Sequence, residues 1–191
     1  FSGAGGLDIG AEQAGVTITD CVELDHDSAE TLRINSINQT KKIHEIDIQN
    51  IDFKMLENGK DRLIFGGPPC QPFSKNGYWV KNENRLIETD PRNLLDQFIR
   101  SVSELKPVGF LFENVESILH PTNIKTLDRF IEMANYIGYS TTIYRSNAIN
   151  YGVPQRRKRV FVFGIRGTTK TIPFPKETHG DLNEKNLFTK D

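Results

Sequence analysis

Residues 93–114 read NLLDQFIRSVSELKPVGFLFEN. The first part, 93–106, is amphipathic at helical spacing, and Pro107 stops it, because proline lacks the amide that a helix needs and clashes with the preceding turn. The apolar run 108–114 then reads as a strand covered on both faces. A helix leading directly into an apolar strand is half of an alternating α/β pattern, so the question is whether the rest of the chain repeats it.

The repeat is present on both sides. Residues 7–15 have helical spacing and end at Gly15, and 16–23 are rich in β-branched residues and read as a strand. Residues 25–36 read as a helix with an acidic first turn, which suits the positive end of its dipole. Short strands are expected at 44–48 and 62–67, a loop over 68–92, a helix over 123–138 ending at Gly138, and strands at 139–149 and 159–166. This alternation predicts an α/β fold, Rossmann-like, with a mostly parallel twisted sheet and helices on both faces. In such sheets ligands bind where the strands end at their carboxyl side. Four unusual segments fall at predicted strand ends: ELD (23–25), DI (47–48), GGPPC (66–70) and EN (113–114). They are far apart in sequence and are expected to converge on one crevice.

Composition sets bounds. A chain of 191 residues is long enough for one domain with its own core. With 37% hydrophobic and 26% charged residues it reads as a soluble protein, and no apolar run has the length of a membrane span. No secretory leader is recognisable, and a reducing, cytoplasmic setting is expected. Net charge is -1, so any nucleic-acid contact must come from a local basic patch. Two cysteines, Cys21 and Cys70, make neither a disulfide framework nor a zinc site, and no metal is expected.

The site segments can be read one by one. FSGAGG (1–6) supplies glycines that allow a sharp turn and a close backbone approach just before a helix. Glu23, after the following strand, is placed to bond ribose hydroxyls, or else the glycines make only a tight turn and the acid is a loose one. The loop departs from GxGxxG and carries no P-loop lysine, so an adenosine-bearing ligand without a pyrophosphate fits better than a dinucleotide or a nucleoside triphosphate. Asp47 is equally readable as a partner of an adenine amino group and as a strand-end cap. Cys70, between prolines at a strand end, reads as a nucleophile, whereas Cys21 lies inside a strand and reads as structural. The histidines are scattered, which disfavours a cysteine protease. Glu113 leaves the core at its edge, either as a proton donor to a ring nitrogen or as a strand-end cap. QRRKR (155–159) puts Gln155, Arg157 and Arg159 on one strand face, an arrangement that suits phosphates or base edges.

Taken in order, FSGAGG, ELD, DI, GGPPCQPFS, DPRNLL (90–95), ENV and QRRKR resemble the DNA (cytosine-5) methyltransferases, bacterial type, over residues 1–165. The resemblance implies an S-adenosylmethionine-dependent enzyme. Phe1, Ser2, Gly3, Ala4, Gly5, Gly6 and Leu7 would cradle the cofactor, with Glu23 on its ribose and Leu24, Asp47 and Ile48 around the adenine. Pro69 and Leu95 would complete the pocket. Cys70 would attack C6 of a cytosine flipped out of duplex DNA, Glu113 would bond its N3 and amino group, and Arg157 would hold its carbonyl. Asn114 and Arg159 would organise the site, and Gln71 and Ser74 would contact the DNA. By the same resemblance, 1–165 would be the catalytic core lacking its first strand. Residues 166–191 would then begin the connection to a target-recognition region on a missing segment or a complementary chain. Such a core is expected to bind cofactor weakly alone. Other readings are cytosine-5 methylation of transfer RNA, a cofactor-bound regulatory protein without catalysis and, more distantly, a nicotinamide-dependent dehydrogenase. The serine of PFS, where the transfer-RNA branch carries threonine, leans towards DNA.

Overall fold

The computed structural model describes residues 1–36, 41–56, 59, 61–69 and 94–180. Its elements run α1 Gly6–Gln13, β1 Asp20–Glu23, α2 His26–Ile34, β2 Lys42–Glu45, β3 Leu63–Gly66, α3 Leu95–Leu105, β4 Gly109–Val115, α4 Ile124–Tyr136, β5 Tyr139–Asn147 and β6 Lys158–Arg166. Strand and helix alternate as the sequence predicts, with ends shifted by a few residues. β1 starts four residues later than expected, and β2 ends three earlier: it pairs Lys42–Glu45 with β1 and releases Ile46 and Ile48 into a small apolar cluster with Ile51 and Phe53.

Strands β1 and β2 are parallel and form a two-stranded sheet. The second sheet has the order β3-β4-β6-β5, with β3 and β4 parallel. β6 runs antiparallel to both β4 and β5, so this sheet is mixed. The reason lies in the connection: residues 148–157 join β5 to β6 without a crossover helix, and so short a link returns the chain antiparallel. Among the described residues no strand pairing joins the two sheets. An apolar cavity of about 570 Å³ lies between them, bordered by residues 16–20 before and within β1, by Leu63 to Phe65, and by Phe98 and Leu105 of α3.

The main core is aromatic. Phe98 of α3 packs edge-on against Phe110 and Phe112 of β4, with ring centroids 5.9 and 5.6 Å apart, and lies 6.0 Å from Phe130 of α4. Val160 and Val162 of β6 close the same face. The apolar run of β4 suggested two covered faces, but burial alternates. Phe110, Phe112 and Asn114 are buried, while Leu111, Glu113 and Val115 are half-buried. This alternation matters for function because it leaves Glu113 with access to solvent and buries its neighbour Asn114. Elsewhere, Phe174 stacks on Tyr144 of β5 at 4.6 Å, and the backbone amides of Thr178 and His179 donate to the Asn150 carbonyl, tying residues 174–179 to the β5–β6 connection. No helix among the described residues is long and apolar enough to cross a membrane.

Phe98 meets three of the four other core rings, so its truncation leaves a cavity at the α3–β4 contact. Phe98→Ala is expected to lower stability by about 3–5 kcal/mol in chemical denaturation. A loss below about 1 kcal/mol would show that the aromatic cluster is not the core of the second sheet.

Candidate functional site

The loop that opens the chain is shaped by its glycines and held by one carboxylate. Gly5 caps α1 at φ 89°, and a side chain there would press within 2.9 Å of Leu32. Only glycine tolerates both conditions. Glu23, at the end of β1, reaches back to this loop. One carboxylate oxygen accepts the Gly3 amide at 2.7 Å, and the other accepts the amides of Leu24 and Asp25 at 2.9 and 3.0 Å. Glu23 is therefore not a loose acid: it braces the turn, a role its sequence position did not announce. A carboxylate has about four lone-pair positions, so one remains on the Gly3 side for a further donor. Asp25 then caps α2, accepting the Ser28 amide at 2.9 Å.

Beneath the loop, the Cys21 thiol donates to the buried Asp8 carboxylate at 3.3 Å. Burial first, and the Asp8 charge second, push the Cys21 thiol up to about 12. Burial likewise raises the Asp8 carboxyl above the usual carboxylate range. Cys21 is thus a structural thiol, as its position inside a strand implies.

At the carboxyl ends of β1 and β2 the chain forms a crevice of about 590 Å³. Its walls include Phe1, Glu23, Leu24, Asp47, Ile48 and Pro69, six of the residues singled out in the sequence, together with Val22, Asp25, His26, Ile46 and Leu94. The volume is that of a small-molecule pocket, and the lining is apolar with a few acids, as such sites require. Asp47 caps its own turn, accepting the Gln49 amide at 2.9 Å, while still facing the crevice. Leu95 does not line it. α3 begins at Leu95 and turns that side chain into the core, so that Leu94, one residue earlier, faces the crevice. Of the opening loop, Phe1 borders the crevice, whereas Ser2 borders the apolar cavity between the sheets. Gly5 is buried, Gly3 and Leu7 are half-buried, and Ala4 and Gly6 are exposed.

A second cluster gathers at the end of β4. Arg159 Nε donates to Glu113 Oε1 at 2.7 Å, and Arg157 Nη2 lies 4.0 Å from the same oxygen. The two arginines predicted to share a face therefore converge on one carboxylate. Glu113 Oε2 faces Gly67 so closely that a side chain on Gly67 would sit 3.1 Å from it. Next to Glu113, the buried Asn114 donates through Nδ2 to the Pro68 carbonyl at 3.4 Å and accepts the Val115 amide at 2.9 Å.

Three successive residues thus link the two clusters. Gly67 lies against Glu113, Pro68 is held by Asn114, and Pro69 lines the crevice. The sequence marked this segment by its composition, but the contacts of Gly67 and Pro68 were not readable from it. Leu94 and the bracing of loop amides by Glu23 were also missed. Cys70, Gln71 and Ser74 lie outside the described residues.

Residues 1–190 match the C-5 cytosine-specific DNA methylase family. The chain is 37% identical to the Type II methyltransferase M.SacI of Streptomyces achromogenes over 97% of its own length and 51% of that protein's. It is 38% identical to the Type II methyltransferase M.AquIA of Picosynechococcus, covering 96% of this chain and 77% of that one. Among solved structures it is similar to a protein described as a DNA modification methyltransferase encoded within an E. coli prophage. The TM-score there is 0.68 at 29% identity, covering 87% of this chain and 45% of the other. The chain therefore spans about half the length of two of these three relatives.

The Cys21 environment is directly testable. With its thiol pushed up to about 12, the thiolate fraction at pH 8 is on the order of 10⁻⁴, and burial blocks access besides. Iodoacetamide at pH 8 is expected to leave Cys21 unmodified in the native protein and to label it once urea unfolds the chain. Stoichiometric native labelling of Cys21 would contradict the Asp8–Cys21 geometry.

Proposed function

The chain belongs to the C-5 cytosine-specific DNA methylase family, and from this premise we propose that it forms the core of an enzyme that methylates cytosine at C5 in double-stranded DNA. The observation that supports this best is the short link between the crevice and the Glu113 cluster through Gly67, Pro68 and Pro69. In this reading the crevice is the cofactor pocket and the Glu113 cluster recognises the base, on either side of the segment that precedes Cys70. In this reading residues 1–165 are the catalytic core.

S-adenosylmethionine fits the crevice. Leu24, Ile48 and Pro69 offer apolar faces for an adenine, and Asp47 offers an acceptor for its amino group. The free lone pair of Glu23 and the glycine loop serve the ribose and the amino-acid portion. When bound, this group supplies an electrophilic methyl carbon on a sulfonium.

The chain's own residues do the rest. A cytosine must leave the stack for its ring face to be approached, which costs roughly a few kcal/mol. The Cys70 thiolate adds to C6, and the electron pair of the C5–C6 double bond makes C5 nucleophilic. Glu113, with Oε1 taken by Arg159, presents Oε2 to the base: a proton carried there passes to the ring N3 as thiolate addition builds negative charge on it, and the 4-amino group donates to the carboxyl. Arg157, half-exposed beside it, is placed for the 2-carbonyl or a phosphate. Asn114 keeps the Pro68 carbonyl in place, and with it the approach to Cys70. Once C5 carries the methyl group, its proton passes to a water molecule, the C5–H electron pair restores the double bond, the thiolate leaves C6, and N3 returns its proton to Glu113. Gln71 and Ser74 are assigned to the DNA.

DNA containing 5-fluorocytosine cannot release the proton that frees the thiol. The full-length protein is expected to form a covalent adduct with such DNA at Cys70 in the presence of S-adenosylmethionine, and Cys70→Ala is expected to form none. Methylation of transfer RNA alone by the intact protein would replace DNA with RNA as the substrate. Absence of any adduct and any methylation would favour a binding-only role.

Gly67→Ala tests the geometry. The added methyl group crowds Glu113 Oε2 and displaces it by a few tenths of an ångström. A fall in kcat of about tenfold with little change in KM for S-adenosylmethionine is expected, since small misplacements of reacting groups are costly. Unchanged kcat would remove Oε2 from the reaction.

A further inference from the structure

Arg100 leaves α3 on the side away from the aromatic core and meets the turn that follows β2. Its Nη2 donates to the Ile48 carbonyl at 2.7 Å and reaches the Ile51 carbonyl at 3.4 Å, and Nη1 reaches the Gln49 carbonyl at 3.4 Å. The guanidinium carbon lies 4.7 Å from the centre of the Phe53 ring, within cation–π range. Glu104, one turn along α3, places Oε1 3.7 Å from Nε, an ion pair too long to be a hydrogen bond. One side chain thus gathers three carbonyls of a single turn and stacks on the ring beneath it. That turn starts at Asp47 and Ile48, both of which wall the crevice.

This arrangement does a specific job. The two sheets share no strand pairing among the described residues. α3 is anchored in the second sheet by Phe98, Ile99 and Val102, whereas the turn belongs to the first sheet and rests on the small cluster of Ile48, Ile51 and Phe53. Arg100 therefore fixes one wall of the crevice to the element that carries another, since Leu94 directly precedes α3. A wall set before the ligand arrives spares the ligand the entropy of ordering it.

We propose that Arg100 is a positioning residue for the methyl donor: without touching the ligand, it holds the Asp47–Ile51 turn in its binding geometry. This rests on the reading of the crevice as the S-adenosylmethionine site. Lysine does not substitute for arginine here, because a point charge lacks the planar fork that serves spaced carbonyls.

The test is calorimetric titration of S-adenosylmethionine into the full-length protein and its Arg100→Ala and Arg100→Lys variants, with steady-state kinetics alongside. Arg100→Ala is expected to raise both Kd and the KM for S-adenosylmethionine about tenfold, equivalent to 1.4 kcal/mol, while kcat at saturating donor and the KM for DNA stay within about twofold of wild type. Arg100→Lys is expected to raise Kd by a few fold at an unchanged melting temperature, and it carries the test if the alanine variant does not fold. Wild-type affinity in either folded variant overturns the proposal. So does a fall in kcat that saturating donor fails to restore, the mark of a merely structural role. Absence of binding by the wild-type protein would instead overturn the assignment of the crevice, and this inference with it.

Discussion

The site depends on how two adjacent residues at the end of β4 hold one passing segment. Side chains of neighbouring strand residues point to opposite faces, so Glu113 and Asn114 act on residues 67–68 in different ways. Asn114 is buried and bonds the Pro68 carbonyl. Glu113 is half-buried, takes Arg159 on one oxygen, and sets the other against Gly67. If β4 were covered on both faces, Glu113 would lose its access to solvent. If β4 slipped by one residue, the two roles would exchange sides and neither would work. The parallel pairing of β3 with β4, which sets Gly66 opposite Phe112, is what brings the segment to this point.

The alternation of helix and strand was legible because each element carries its own local signal. α3 shows an amphipathic face and a proline stop, β1 a β-branched run, and α2 an acid at its cap. The convergence of strand ends on a crevice followed from that alternation, and Phe1, Glu23, Leu24, Asp47, Ile48 and Pro69 do meet there, whereas Glu113 and Asn114 of the fourth segment form a neighbouring cluster and do not line it. What the sequence did not reveal was long-range. β6 inserts antiparallel between β4 and β5, a pairing that depends on connection length rather than on periodicity. Leu94 and Leu95 are indistinguishable as residues, and only the start of α3 decides which faces the crevice. The Arg100 contacts join positions about fifty residues apart, and nothing local to either end announces them.

A net charge of -1 conceals a local arrangement of charge. Arg157 and Arg159 meet at Glu113, and Lys158 pairs with Glu116 at 3.7 Å. The acids are arranged as carefully. Glu23 is spent mostly on backbone amides, which stiffens the glycine loop and the start of α2 together. Asp8 is spent on Cys21 beneath that loop. Each carboxylate thus has a structural task, and Glu23, Asp47 and Glu113 also keep a side turned towards the site.

The central claim is that the crevice at the carboxyl ends of β1 and β2 receives the methyl donor next to the Gly67–Pro69 segment. A crystal structure of the full-length protein with S-adenosylhomocysteine tests this most directly. The account predicts the adenine between Leu24, Ile48 and Pro69, with Asp47 at its amino group, and the sulfur on the side of the crevice nearest residues 67–69. Density for the ligand in the apolar cavity between β1 and β3, or an adenine that leaves Leu24, Asp47 and Ile48 uncovered, would contradict it.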